Sequence, residues 1–421
     1  MAVSDGQQAV VRVGEGCKSF AKSKYQARQM LGSFLFGCIP IRSCIAKNGE
    51  RFMTSLLVSK IQAKLRGALS PDARALLLAE LACYFARTGE FEEAERIRGE
   101  LRLAYADARS APVSIMIMIA EALLLYFKEL NPGARDRMLR ANLLSRAFEE
   151  QRLASLSSAW LSHIDFNQGR YDSMVSAMNS AFEGASADDG SAMCRVAVVL
   201  GDAFAFCRIP EESKWWYERA RQIAVVLGDR ATIGALTYNK AALHVANLRL
   251  SAITDAVKLD EVALARRELQ TATGYQFAAE LKSLAHLLTS AAIGVAILES
   301  RIGDALAMLD AHFLEREVPA GAIEIALHRA DLAMCLALVG RNEEAKSKLI
   351  EMDLPGVDAL GADDRALIYE SLSRAAEEIG MCNEAADFRT KARDSLLEHA
   401  CLATQIGSMI AVCSGLGKSI C

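Results

Sequence analysis

Apolar residues recur along most of this chain at three- and four-residue spacing, in stretches of helical length broken by short polar segments. VSIMIMIAEALLLYF from Val113 and LGDAFAFCRIPEESKWWYERA from Leu200 are representative. That spacing places the apolar side chains on one stripe of an α-helix. Ala, Leu, Glu and Arg are abundant, whereas β-branched and aromatic residues are sparse, which favours helix over sheet. The expected fold class is therefore all-α.

The helical stretches repeat. Four fragments begin alike: GEFEEAERIRGEL at Gly89, GRYDSMVSAMNSA at Gly169, GRNEEAKSKLIEM at Gly340 and GMCNEAADFRTKA at Gly380. In each, the residue five places after the glycine is small or medium-sized, and an apolar residue follows seven later. The anchors are Ala94, Met174, Ala345 and Ala385, whose spacings of 80 and 40 residues set a period of 40. The period then predicts further anchors at Ala134, Ser213 and Ala305, and a less regular unit near Ile253. Pro71, Pro112, Pro319 and Pro355 fall at predicted junctions between helical hairpins. Ser70-Pro71-Asp72 reads as an N-cap with proline in the first turn.

This arrangement resembles the tetratricopeptide-like helical repeat superfamily. The resemblance rests on Leu200, Gly201, Phe204, Tyr217 and Ala220 in one unit and on Leu81, Ala82, Phe85, Gly89, Phe91 and Ala94 in another. Repeats of about 40 residues, longer than the usual 34 of that family, mark a divergent member. The resemblance implies a right-handed α-solenoid of antiparallel helix hairpins over 53–421, with a C-terminal capping helix and a short tail. It also implies a concave groove lined by the first helix of each hairpin, suited to holding a partner.

Charge divides the chain unevenly. Residues 1–64 carry ten Lys/Arg against three Asp/Glu, so the remainder is acidic although the whole chain is only −4. That balance gives no footprint for nucleic acid. Residues 1–52 lack the repeat and are expected to be a basic, poorly ordered leader, with Met53 opening the ordered body and a candidate translation start. The eleven cysteines contain no CxxC pair, so a reducing cytoplasm is the expected compartment. Cys83, Cys194, Cys207, Cys335 and Cys382 read as small buried hydrophobes. No membrane span is expected, since the most apolar stretch, Val113 to Phe127, is short and contains Glu121.

Catalytic constellations are not evident. Six scattered histidines (His163, His244, His286, His312, His328 and His399) show no metal-ligand spacing, so no metal or cofactor is expected. Ser414-Gly-Leu-Gly-Lys-Ser419 ends like a phosphate-binding loop but lacks its first glycine, and position 412 is Val. Glu92-Glu93, Glu343-Glu344 and Glu377-Glu378 read as solvated faces.

The expected function is accordingly a non-enzymatic scaffold or adaptor that binds a protein or peptide in the groove. The alternative is a regulatory sensor of bacterial type, which takes a small ligand or signalling peptide and controls a separate output protein. An apolar groove gives area without direction, and direction needs placed polar groups. Such groups coincide with inward register at Trp160, His163, Arg195, Asp202, Tyr238 and Asn239. Arg195 is expected to pair a ligand carboxylate, and Asn239 to satisfy a peptide unit.

Overall fold

The computed structural model describes residues 55–104, 110–129, 131–184, 190–283, 285–314 and 321–420. The basic leader, Met53 and Pro319 lie outside them. Among the described residues the chain forms eighteen helices and no strand. After α1 (Leu56–Leu65) come seven hairpins in succession: α2 (Pro71–Thr88) with α3 (Phe91–Ala104), α4 (Ala111–Glu129) with α5 (Gly133–Ala147), α6 (Gln151–Asn167) with α7 (Tyr171–Glu183), α8 (Gly190–Phe206) with α9 (Pro210–Leu227), α10 (Arg230–Ser251) with α11 (Leu259–Ala278), α12 (Ala285–Leu298) with α13 (Ile302–Leu314), and α14 (Ala322–Leu338) with α15 (Asn342–Ile350). The short α16 (Leu354–Asp358) leads to the last pair, α17 (Ala362–Glu378) and α18 (Cys382–Ile420).

The expected period is present in these boundaries. Successive first helices begin at Pro71, Ala111, Gln151, Gly190, Arg230, Ala285, Ala322 and Ala362. The interval stays within three residues of 40 except between Arg230 and Ala285, where it is 55. There α10 and α11 lengthen to 22 and 20 residues. Ile253 lies in the connection between them, and the buried residue equivalent to the other anchors is Val262, four residues into α11. The seven remaining anchors are all buried, where each second helix meets its partner.

Five residues before six of those anchors the backbone turns left-handed. Gly89, Gly169, Gly340 and Gly380 occupy that turn with φ between 67° and 82°, and Arg208 and Ser300 occupy it at 57° and 55°. Glycine recurs there because a left-handed residue reverses the chain between helices and a Cβ makes that conformation costly. Gly201 has a different reason. A Cβ on it would stand 2.5 Å from the Tyr217 ring, so the glycine admits α9 close against α8.

Caps and prolines follow the sequence in part. Ser70 Oγ accepts from the Ala73 amide, with Pro71 opening α2. Pro112 sits in the first turn of α4 rather than in a connection, and Pro355 lies in α16. Both places suit a residue with no amide hydrogen to donate. Cys83, Cys194 and Cys335 are buried and Cys207 is half-buried, but Cys382 is exposed at the start of α18. Ser414 to Ser419 belongs to α18, not to a separate tail. A Cβ on Gly417 would lie 2.7 Å from both Phe182 and Trp216, so close helix packing accounts for that glycine. The three acidic pairs lie on largely solvated surfaces, with Glu93 and Glu344 bonded to neighbouring arginines.

Packing between first helices runs in a circuit. α2 packs on α4, α4 on α6, α6 on α8, α8 on α10, and α10 again on α2. The closing contact is polar: Arg87 Nη1 at the end of α2 donates to Asp229 Oδ2, the N-cap of α10, at 2.7 Å. Nearby, the Lys282 amide donates to the Thr88 carbonyl and Ser283 Oγ to that of Arg87. α18 turns back onto α7 and α8, placing Ile406, Ile410 and Cys413 in their core. α4 and α18 are each long and apolar enough to cross a membrane. Most of the apolar surface of α4 is buried against its neighbours, and its one acid inside the run, Glu121, pairs with Arg102 and Arg137.

Candidate functional site

The circuit directs one face of α2, α4, α6, α8 and α10 toward a common interior, and the aromatic and polar residues of that face meet there. Trp160 and His163, one helical turn apart on α6, touch edge to face with centroids 5.5 Å apart. Tyr126 from α4 packs on His163 at 5.6 Å. Arg195 from α8 lays its guanidinium over the Trp160 ring, 3.9 Å from the centroid. Arg87 approaches the same ring at 6.0 Å. Trp160 therefore has two cations near its π-electrons, an arrangement that stabilises each of them.

The two arginines differ in what else they touch. Arg87 bonds Asp229 and Thr232 Oγ1, and Thr232 also donates its amide and hydroxyl to Asp229. Burial pushes the Asp229 carboxyl up, but Arg87 and the Thr232 donors outweigh it and hold the group below the usual carboxylate range. Arg195 has no carboxylate or hydrogen-bond partner at its Nε, although only 5 % of the residue is exposed. Burial, with the like charge of Arg87 beside it, draws its pKa down to about 10. His163, at 8 % exposure, leaves Nδ1 without a partner. Burial and the neighbouring Arg195 hold its imidazole well below the ordinary value, and so neutral.

About two turns beyond Arg195 on α8, Asp202 makes a second polar knot. It accepts from Tyr217 Oη at 2.7 Å and from Asn239 Nδ2 at 2.8 Å. Burial raises its carboxyl to about 7 against the opposing effect of those two donors and of Arg195.

Five of the six residues expected at mid-groove thus come together, in two adjacent knots. They differ from expectation in exposure. Trp160, His163, Arg195 and Asp202 are buried, where α4, α6, α8 and α10 pack on one another. Asn239 commits its Nδ2 to Asp202. Tyr238 stands apart, packed against the core between α10 and α12. Arg87, Asp229 and Thr232 escaped the sequence reading, since they sit at helix ends and no periodic signal connects residues 142 apart. Among the described residues, no three or more His, Cys, Asp or Glu side chains are grouped to hold a metal ion. No protein-family model matches the chain, and comparison with curated proteins found no match.

Proposed function

We propose that this chain is a non-enzymatic binding module of the tetratricopeptide-like kind, a right-handed solenoid of helix hairpins that receives a protein or peptide partner on its first helices. The 40-residue recurrence of hairpins, the left-handed turn before six of the second helices and the close packing at Gly201 support the fold half of that reading. One observation carries the functional half. Arg195 is a buried cation stacked on Trp160 with no carboxylate partner, whereas the largely buried side chains of Arg87 and Arg249 are paired with Asp229 and Asp331. A buried charge without a bonded counter-ion is costly to keep, and binding of a partner is a reason to keep it. The partner is not a nucleic acid on this reading, and the compartment is the cytoplasm.

The burial of Trp160, His163 and Arg195 also favours a second reading, in which a small ligand or signalling peptide enters and a separate output protein responds. Affinity capture on the purified full chain, followed by mass spectrometry, separates the two. A stoichiometric protein that is lost with Trp160→Ala but kept with the surface variant Glu343→Lys supports the module. A co-purifying small molecule supports the sensor. A partner retained by both variants places binding elsewhere on the molecule.

A further inference from the structure

The interior face carries an imbalance of charge and of hydrogen bonding that the protein's own groups leave open. Two guanidiniums, Arg87 and Arg195, converge on Trp160, and the carboxylate of Asp229 forms its ion pair with the first. The other carboxyl nearby, Asp202, is already held by Tyr217 and Asn239 and makes no ion pair with Arg195. Two polar side chains more than nine-tenths buried, Arg195 and His163, share the Trp160 ring as a common wall, and each has a nitrogen without a partner. Tyr126 closes the side facing α4.

We infer that Arg195 and His163, over the ring of Trp160, form a binding site for a single oxyanion carried by the ligand, a carboxylate or a phosphate group. The inference rests on the binding-module reading and adds the chemistry of what is bound. A planar guanidinium held by stacking presents its N–H edge in a fixed direction, which suits two oxygens of one anion. A neutral imidazole can donate one more hydrogen bond to the same group. An anion here supplies the charge that Asp229 gives Arg87 and satisfies nitrogens that are otherwise desolvated without return. Trp160 contributes the wall that keeps the guanidinium in place. Arg195 is in this way the anchor, and His163 the second contact.

The test is thermal unfolding of the full chain and of Arg195→Met at constant ionic strength, in chloride, in sodium acetate and in inorganic phosphate. Phosphate raises stability nonspecifically, so the reading is the difference between the two proteins in each salt. In chloride, Arg195→Met is expected to melt at or above the wild-type temperature, because Met fills similar space without a buried charge. In acetate or phosphate at tens of millimolar, the wild type is expected to gain about 1–3 °C over the variant. A gain in acetate alone assigns a carboxylate, and a gain in phosphate alone assigns a phosphate. Arg195→Lys, which keeps the charge and loses the fork, should recover only part of the gain. Parallel shifts of wild type and Arg195→Met in every salt overturn the inference, as does a large drop in the melting temperature of Arg195→Met in chloride. Either failure leaves the capture experiment of the preceding section free to succeed, so the two readings fall separately.

Discussion

Gly201 and Asp202 are neighbours on α8 that act on the same tyrosine in opposite ways. Gly201 lets the Tyr217 ring lie against the backbone, and Asp202 receives its hydroxyl. Gly201→Ala would place a methyl inside the ring's van der Waals boundary, move Tyr217 and break its bond to Asp202. The expected loss is about 1–3 kcal/mol of stability, as for overpacking in a core, measured by urea unfolding. A loss below about half a kilocalorie would mean that Tyr217 has room to move. Asp202 makes a prediction about pH. Its carboxyl titrates near 7 in the folded chain and near 3.9 when unfolded. Between those values the native state holds a proton that the unfolded state has released, so Asp202 lowers stability as pH rises from about 4 to about 7. Asp202→Asn removes that slope while its amide oxygen can still accept from Tyr217. The melting temperature of the variant, relative to wild type, should therefore rise between pH 5 and pH 8. Burial of His163, present in both proteins, cancels in the difference. A flat or falling difference would show that Asp202 is ionised throughout the range.

At the scale of the helix and its turn, the hairpin connection carries most of what the sequence announces. The residue five before each anchor is left-handed in six hairpins, and four of the six are glycine. Arg208 and Ser300 adopt the same backbone with a side chain attached, at φ of 57° and 55°. Arg208→Gly and Ser300→Gly should each stabilise the protein by up to about 1 kcal/mol, and Gly340→Ala should destabilise it by about as much. Thermal melts of the three single variants check both signs. Leu200, fully buried beside Gly201, tests the register of the unit that most resembles the repeat family. Leu200→Ala should cost about 2–5 kcal/mol, read by urea unfolding. This much was legible because small anchors, turn glycines and apolar spacing are local signals. The fifth hairpin was legible only as a disturbance near Ile253. Its helices are longer by an amount no turn residue marks, so Val262 took the anchor's place unannounced. The candidate site was legible as a set of residue types in inward register at Trp160, His163, Arg195 and Asp202. Their burial was not, because it depends on where distant hairpins meet.

That meeting is a property of the whole molecule, and it changes how the hairpins should unfold. A linear array of repeats is stabilised by nearest neighbours alone, and its ends can open without disturbing its middle. Here α2 contacts both α4 and α10, so the first hairpin is held at two places far apart in sequence. The second hold is built on Arg87 and Asp229, both largely buried, with Thr232 completing the network and Asp229 also capping α10. Removing one member of a buried ion pair leaves the other charge unpaired, which costs about 3–5 kcal/mol. Arg87→Met should therefore destabilise the protein strongly, whereas Arg87→Met combined with Asp229→Asn should recover part of the loss, since Asn still caps a helix and carries no charge. The two substitutions should be non-additive by more than about 1 kcal/mol. Hydrogen exchange then locates the effect. In the wild type, amides of α2 and of the first turns of α10 should exchange through one shared opening. In Arg87→Met, α2 should exchange faster than α6 and α8, because its hold on α10 is weakened while its packing on α3 and α4 remains. Equal protection of α2 in both proteins would mean that packing and the bonds from Lys282 and Ser283 to the Thr88 and Arg87 carbonyls hold α2 without the ion pair, and that the Arg87–Asp229 pair adds charge balance near Trp160 rather than a hold on α2.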